Sequence, residues 1–280
     1  MIGFNGTYLP AATHHGMRIT AAAIGGQWVI GGKWLTHATQ QAIVAAFGAE
    51  GTEVIAKTND YLNAIAWTDP QRALLLAGFI NEDPLLVCSL VETSKTRWLV
   101  GDGKAYVDSD VDLSITELPS VYIHFQYIKS TGSYDTIFGG WFSNTKNTGI
   151  WVNNKCIHSR WGNTSGTTYS QAPCLVGTEH TIYADMNKFQ YDGSTIYRNI
   201  GKITYNGKNP IGATYRDAYY EIHGQFNFAC LIIKDNDQPI REMYPFHRNG
   251  ESGMLDIVSG TFYPKANTQG SFTIQLTDKP

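Results

Sequence analysis

Apolar and polar positions keep two rhythms along this chain, and the rhythm changes near residue 92. In the first part the string HATQQAIVAAF, opening after Thr36, is Ala-rich, sets Ile43 and Phe47 four apart on one face, and meets a stop at Gly48. It predicts a helix of about three turns. Glu53 to Trp67 places Val54, Thr58, Tyr61, Leu62 and Ile65 on a common stripe, and Asp69-Pro70 opens a third helical segment through Leu74 to Ala77. Ahead of the helices, QWVIGGKWL sets Gly31-Gly32 between two short aromatic and β-branched runs, the signal of a two-residue hairpin. Met1 to Gly26 shows no clean period and reads as irregular or extended. Asn81-Glu82-Asp83-Pro84 closes the helical part, and Leu85 to Val91 reads as a strand.

Beyond Val91 the period is two and turn residues recur at the spacing of a sandwich. The predicted strands are 97–100, 105–107, 121–128, 136–142, 149–152, 156–161, 180–185, 188–191, 194–199, 201–205, 218–222 and 227–233. In VYIHFQYI, Val121, Ile123, Phe125 and Tyr127 share one face. Asp192-Gly193 is a hairpin signal between KFQY and STIY, and Asp235-Asn236-Asp237 is a polar turn between two further strands. Helical patterns are absent here, which argues for two packed sheets and against an α/β fold.

The stretch FNFACLIIKDNDQPIREMYPFHRNGESGMLDIVSGTFYPKANTQGSF, Phe226 to Phe272, and the earlier GDGKAYVDSDV, Gly101 to Val111, resemble the closing and opening parts of laminin-G-like, concanavalin A-like jelly-roll domains of phage virion proteins and gut-bacterial surface proteins. The resemblance covers about residues 96–280. It implies a mainly β chain with an antiparallel two-sheet jelly roll at 93–280; the helices and hairpin before it form a small α+β domain at 1–92, to which analogy with virion proteins gives attachment or oligomerisation. In the closing stretch Met254, Leu255, Ile257, Val258, Phe262 and Tyr263 read as packing residues.

Composition agrees: of 280 residues 12% are aromatic and only 16% charged, with 28 Gly, 16 Tyr and 7 Trp, a strand-and-turn profile. A formal charge of -3 without clustered Lys and Arg speaks against a nucleic-acid surface. Cys88, Cys156, Cys174 and Cys230 are too scattered for a zinc site and read as free buried thiols, with disulfides as the lesser alternative. MIGFNGTYLP lacks the basic and apolar regions of a secretory signal, and no apolar run is long enough to span a bilayer. A chain made in the cytoplasm and carried outside in a virion is expected.

Catalytic patterns fail in turn. There is no ExDxxE strand, the arrangement that puts three carboxylates on the concave face of glycan-hydrolysing relatives, and AYYEIHG holds Glu221 alone. WGNTSG misses the nucleophile-elbow spacing, GGK is a near-miss to a phosphate loop with Trp34 in the Ser/Thr place, and His14-His15 have no ligand partner. Sugar recognition needs flat aromatic faces and hydrogen-bonding side chains, and Trp141 to Tyr169 holds both: Trp141, Trp151, Trp161 and Tyr169 interleave with Asn153, His158, Arg160 and Asn163. Trp161, Tyr169, Asn163, Arg160, Trp141 and Asn153 are the predicted ligand contacts; the competing reading makes Trp141 and Trp151 core. The resemblance also implies calcium, with Asp102, Asp108, Asp110 and Asp112 near the first strand, but acidic residues in an ordinary turn are more often just solvated and no metal or cofactor is assigned. The function expected is a phage fibre or decoration protein attached through 1–92 to other virion proteins, displaying the jelly roll to host-surface glycans, with no nucleic-acid or membrane partner. A homo-oligomer, with a trimer favoured, is expected. The alternatives are a lectin-like protein of a gut bacterium and a glycan hydrolase.

Overall fold

A computed structural model describes residues 3–4, 7–8, 12–14, 17–24, 27–32, 34–113, 116–130, 134–143, 146–153, 155–162, 168–197, 208–216, 219–221 and 224–279, with the backbone alone at 3–32, 141–147, 160–172, 196–197 and 214–221. The chain divides into two compact units, Met1–Arg97 with Leu276–Pro280, and Trp98–Gln275.

In the first unit β1 (Gly3–Phe4) pairs with β2 (Thr7–Tyr8), and β3 (Ala12–His14), β4 (Met17–Ile24) and β5 (Gln27–Gly32) form an antiparallel meander. Where it is described, the stretch before residue 26 is therefore strand, its alternation hidden by Ala and Thr on both faces. Ile24 pairs with Gln27, whereas Gly31 and Gly32 pair with Thr20 and Ile19. Gly31 and Gly32 therefore lie within the β4–β5 ladder, which corrects the expectation of a hairpin turn there. A Gly-Gly pair is a local signal alone, and the ladder overrides it here.

Three helices follow as the periodicity requires. Thr36 caps α1 (His37–Phe47), its hydroxyl accepting from Thr39 N at 3.1 Å, and Gly48 ends it at φ 57°. α2 (Gly51–Thr68) buries Val54, Thr58, Leu62 and Ala66, with Tyr61 and Ile65 half-buried beside them. α3 (Pro70–Glu82) starts on the Asp69 cap with proline in its first turn. The Asn81 side chain ties these pieces together: Oδ1 accepts from Thr36 N at 2.8 Å and Thr39 Oγ1 at 2.7 Å, and Nδ2 donates to Trp34 O at 2.9 Å. Where a strand is expected at Leu85 to Val91, a 3₁₀ turn, Pro84–Leu86, runs into the short α4 (Val87–Leu90). LLVCSLV is an apolar run interrupted by Ser89 alone, which fits either element; Pro84 pre-sets the helical start, and Leu86 and Val87 are fully buried.

The strands that continue the chain are β6 (Lys95–Gly101), β7 (Pro119–Lys129), β8 (Asp135–Ser143), β9 (Lys146–Asn153), β10 (Cys156–Gly162), β11 (Thr168–Pro173), β12 (Glu179–Ala184) and β13 (Lys188–Tyr191). Then come β14 (Ser194–Tyr197), β15 (Thr214–Arg216), β16 (Tyr219–Glu221), β17 (Gln225–Asp235), β18 (Gln238–Arg248), β19 (Glu251–Asp256), β20 (Thr261–Pro264) and β21 (Phe272–Asp278). One sheet has the order β14-β13-β12-β7-β17-β18-β19-β20, with β6 pairing β17 and β21; the other is β11-β10-β9-β8-β15-β16. This is the two-sheet jelly-roll sandwich that the period-two pattern calls for. Val121, Ile123, Phe125 and Tyr127 of β7 share one buried cluster with Phe138, Ile150, Val152 and Ile157 of the second sheet. Tyr191 pairs with Ser194 around Asp192-Gly193, and Asp235 with Gln238 around Asn236-Asp237, so both predicted turns are two-residue hairpin loops.

Other readings are revised. Ala105 to Val107 is irregular apart from the isolated bridge Val107↔Ile211, and it follows a bend in which Asp102 Oδ1 accepts from Lys104 N at 2.9 Å and Ala105 N at 3.2 Å. Val258 is 36% exposed in the turn after β19, while Met254, Leu255 and Ile257 are buried. The strand expected at 201–205 lies outside the described residues.

Candidate functional site

β7 is the strand on which a site is built. Its start is flanked on one side by the end of β12 (Ala184↔Val121) and on the other by the end of β17 (Lys234↔Ser120, Asp235↔Pro119), so two turns distant in sequence meet at one rim of the sandwich. The β12–β13 turn is folded by Asp185, whose Oδ1 accepts from Asn187 N and Lys188 N, both at 2.7 Å. The β17–β18 turn places Asn236 and Asp237 at φ 50° and 61°, left-handed values that Asn and Asp tolerate best among non-glycine residues. Asp235 Oδ1 straps the approach to β7 against this turn, accepting from Glu117 N at 3.0 Å and Leu118 N at 2.8 Å; Asn236 Nδ2 donates to Glu117 Oε2 at 3.2 Å.

Between the turns lies a cavity of about 200 Å³. Leu118, Pro119 and Met186 give it apolar walls, the half-buried Tyr183 an aromatic one, and Asn187 and Asp237 hydrogen-bonding groups. Leu118 is 56% exposed, an apolar side chain held at the mouth. The Tyr183 hydroxyl is held protonated: burial and its hydrogen bond to Asp185 both raise its pKa. Lys188 Nζ stands 4.6 Å from the centre of its ring. Among the described residues, the Asp237 carboxylate and the Asn187 amide make no side-chain hydrogen bond or ion pair. These groups are therefore free to receive a ligand's hydroxyls.

A larger cavity of about 240 Å³ lies near the β18–β19 turn, lined by Glu251, Ser252, Lys265 and Phe272 among others. Its one aromatic ring, Phe272, packs on the core cluster, and Lys265 Nζ donates to Gly270 O at 2.8 Å. It offers less free hydrogen-bonding capacity beside an aromatic wall.

A third cluster has the connectivity of a catalytic triad. His180 Nδ1 is 2.7 Å from Asp192 Oδ2 and its Nε2 is 2.7 Å from Thr178 Oγ1. However, the Thr178 hydroxyl also donates to Leu175 O at 2.7 Å, Tyr191 OH crowds Nδ1 at 2.8 Å, and His180 is only 6% exposed between Tyr191 and Phe125. The arrangement ties the loop before β12 to the β13–β14 hairpin, and it is structural.

The predicted contacts fall on the second sheet. Trp141 (β8) stands opposite Asn147, Trp161 and Arg160 (β10) opposite Thr148 and Gly149, and Tyr169 (β11) opposite His158. The side chains of these four, and all of Asn163, lie outside the described residues. Asn153, half-buried at the end of β9, accepts through its carbonyl from His158 Nε2 at 3.1 Å. Trp151 stacks on His158 with centroids 5.8 Å apart, is 8% exposed, and its indole N–H lacks an acceptor. It is thus buried, as the core reading has it, but beside His158 and not among the central cluster. The residues missed by sequence reasoning are Tyr183, Asn187 and Asp237. Both turns are legible in YADMNK and KDNDQ; their meeting beside β7 is not.

No protein-family model matches the chain, and no curated protein matches it either. Among solved structures, a Bacteroides ovatus protein assigned to carbohydrate binding aligns over 67% of this chain at 9% identity with TM-score 0.50. This likeness supports the antiparallel two-sheet sandwich as the fold. The alignment spans 62% of that neighbour's length. Mouse laminin α1 domains LG4-5 align over 54% of this chain and 45% of theirs at 13% identity and TM-score 0.35. The NanB sialidase of Streptococcus pneumoniae aligns over 52% of this chain and 26% of its own at 16% identity and TM-score 0.36. At 9% identity the likeness to the B. ovatus protein speaks to the fold alone.

Proposed function

We propose that the second unit is a lectin-like carbohydrate-binding module that takes a single sugar ring in the rim cavity beside β7. The observation that carries this is the cavity itself: an aromatic wall at Tyr183 next to the uncommitted Asp237 carboxylate and Asn187 amide, the pairing that sugar rings require. At about 200 Å³ it is smaller than the roughly 300–1,000 Å³ usual for drug-sized ligands, which suits one monosaccharide unit. The carbohydrate assignment of the B. ovatus neighbour supports the same reading. Of the two settings expected for such a module, no observation favours the virion fibre over a free or surface-bound binding protein, and the proposal is made for the latter.

Saturation-transfer NMR of the full chain against a panel of monosaccharides tests it. Tyr183→Ala and Asn187→Ala, with folding verified by circular dichroism, should each weaken binding at least about tenfold, the loss of a stacking wall or of hydrogen bonds to bound hydroxyls. Binding lost in Trp161→Ala but retained in Tyr183→Ala would move the site to the second sheet. Hydrolysis of a bound glycan would replace binding with catalysis.

A further inference from the structure

We infer that the rim cavity selects amino sugars over neutral sugars and rejects acidic ones; the inference rests on the carbohydrate-binding reading above. Two carboxylates, Asp185 and Asp237, line the cavity, and two more, Asp235 and Glu117, are strapped against its β17–β18 turn. The neighbouring strands carry two lysines. Lys188 is held over the Tyr183 ring, and Lys234 stands on β17 opposite Ser120. The surroundings are net negative, and no lysine or arginine is among the lining residues.

The commitments of these groups sharpen the point. Asp185 spends Oδ1 on two turn amides and a further acceptor position on Tyr183, and Asp235 spends Oδ1 on two backbone N–H groups. Asp237 spends nothing, and its left-handed backbone in a two-residue turn fixes where the carboxylate starts. A protonated amine on a sugar ring brings three donors and a positive charge to that carboxylate. A uronic or sialic acid brings a second negative charge, for which the cavity holds no bidentate cation. Acetylated amino sugars carry no charge and fall in with the neutral sugars.

The experiment is an NMR titration of the full chain with glucosamine, glucose and glucuronate, at a pH where the amine is protonated. Glucosamine should bind about two- to fivefold more tightly than glucose, the range of a solvent-exposed ion pair, and glucuronate more weakly than both. About 1 M salt should close the gap by screening. Asp237→Asn, which keeps the shape and removes the charge, should bring the glucosamine-to-glucose ratio to about one. Equal affinities in the wild-type chain, or a ratio unmoved by Asp237→Asn, would overturn the charge selectivity while leaving sugar binding intact. No binding of any of the three sugars would remove both.

Discussion

Single residues in this protein act mainly through what burial does to their polar atoms. Asp256, fully buried, gathers four donors: Glu242 N at 2.9 Å, Val258 N at 3.1 Å, Ser259 N at 3.3 Å and Ser259 Oγ at 2.6 Å. The thiols of Cys174 and Cys230 are both pushed up to about 12 by desolvation, which keeps them protonated and unreactive. His158 is the residue whose burial yields a pH dependence. Desolvation lowers its pKa below that of a free imidazole, against the opposing hydrogen bond to Asn153 O. A folded pKa below the unfolded value of about 6.5 means that the unfolded chain takes the proton first as pH falls. The stability owed to neutral His158 is therefore complete above that pH and is lost as pH drops through the folded value. Urea midpoints measured down a pH series should fall more for the wild type than for His158→Gln; parallel curves would remove His158 as the source.

At the scale of elements, β7 is the organising strand: its inward residues build the core and its start collects the two turns of the candidate site. The second sheet depends on a different device. β8 crosses β9 at Gly139↔Gly149, with Gly139 at φ 125° and register shifts on either side. A Cβ at Gly139 would stand 2.1 Å from Thr148 O and 2.5 Å from Gly149 Cα, backbone atoms that cannot swing away. Gly139→Ala should cost about 3 kcal/mol or more and lower the unfolding temperature of the second unit, whereas Gly193→Ala, with open space around its Cβ, should cost only its backbone strain of about 1 kcal/mol. Calorimetry of the two variants reads the difference, and equal losses would count against the close approach.

For the whole molecule, the notable feature is that chain order and spatial order part company at the end. Leu276–Pro280 belong with the first unit, although the rest of the C-terminal region builds the second. Lys279 N donates to Ser94 O at 2.8 Å, and Lys95 Nζ pairs with Asp278 Oδ1 at 2.6 Å. Removing residues 276–280 takes away a backbone hydrogen bond, an exposed ion pair and the end of the β21–β6 pairing, and should destabilise the first unit by at least about 1–2 kcal/mol, seen as faster amide exchange across 34–97. Unchanged protection there would show that the tail is dispensable. The first unit also contains a buried pair, Arg97 with Asp83, in which Arg97 Nε and Nη1 lack acceptors. Such a pair favours a specific arrangement more than it favours stability.

Local chemistry determined much of this. Thr36, Gly48 and Asp69-Pro70 bound helices because caps and stops act within one turn, and alternation in VYIHFQYI marks a half-buried strand because period two is a property of the strand alone. Asp192-Gly193 and Asn236-Asp237 turn where their backbone preferences say they should. Tertiary structure decided what local signals leave degenerate: whether Gly31-Gly32 turns or pairs, whether LLVCSLV coils or extends, and which face buries Trp151. It also decided the site. Tyr183 and Asp185 are some fifty residues from Asp237 in sequence, and only the ladders on either side of β7 bring the turns that bear them to one rim. Pairing between strands far apart depends on the whole sheet's register and burial, which no window of sequence contains.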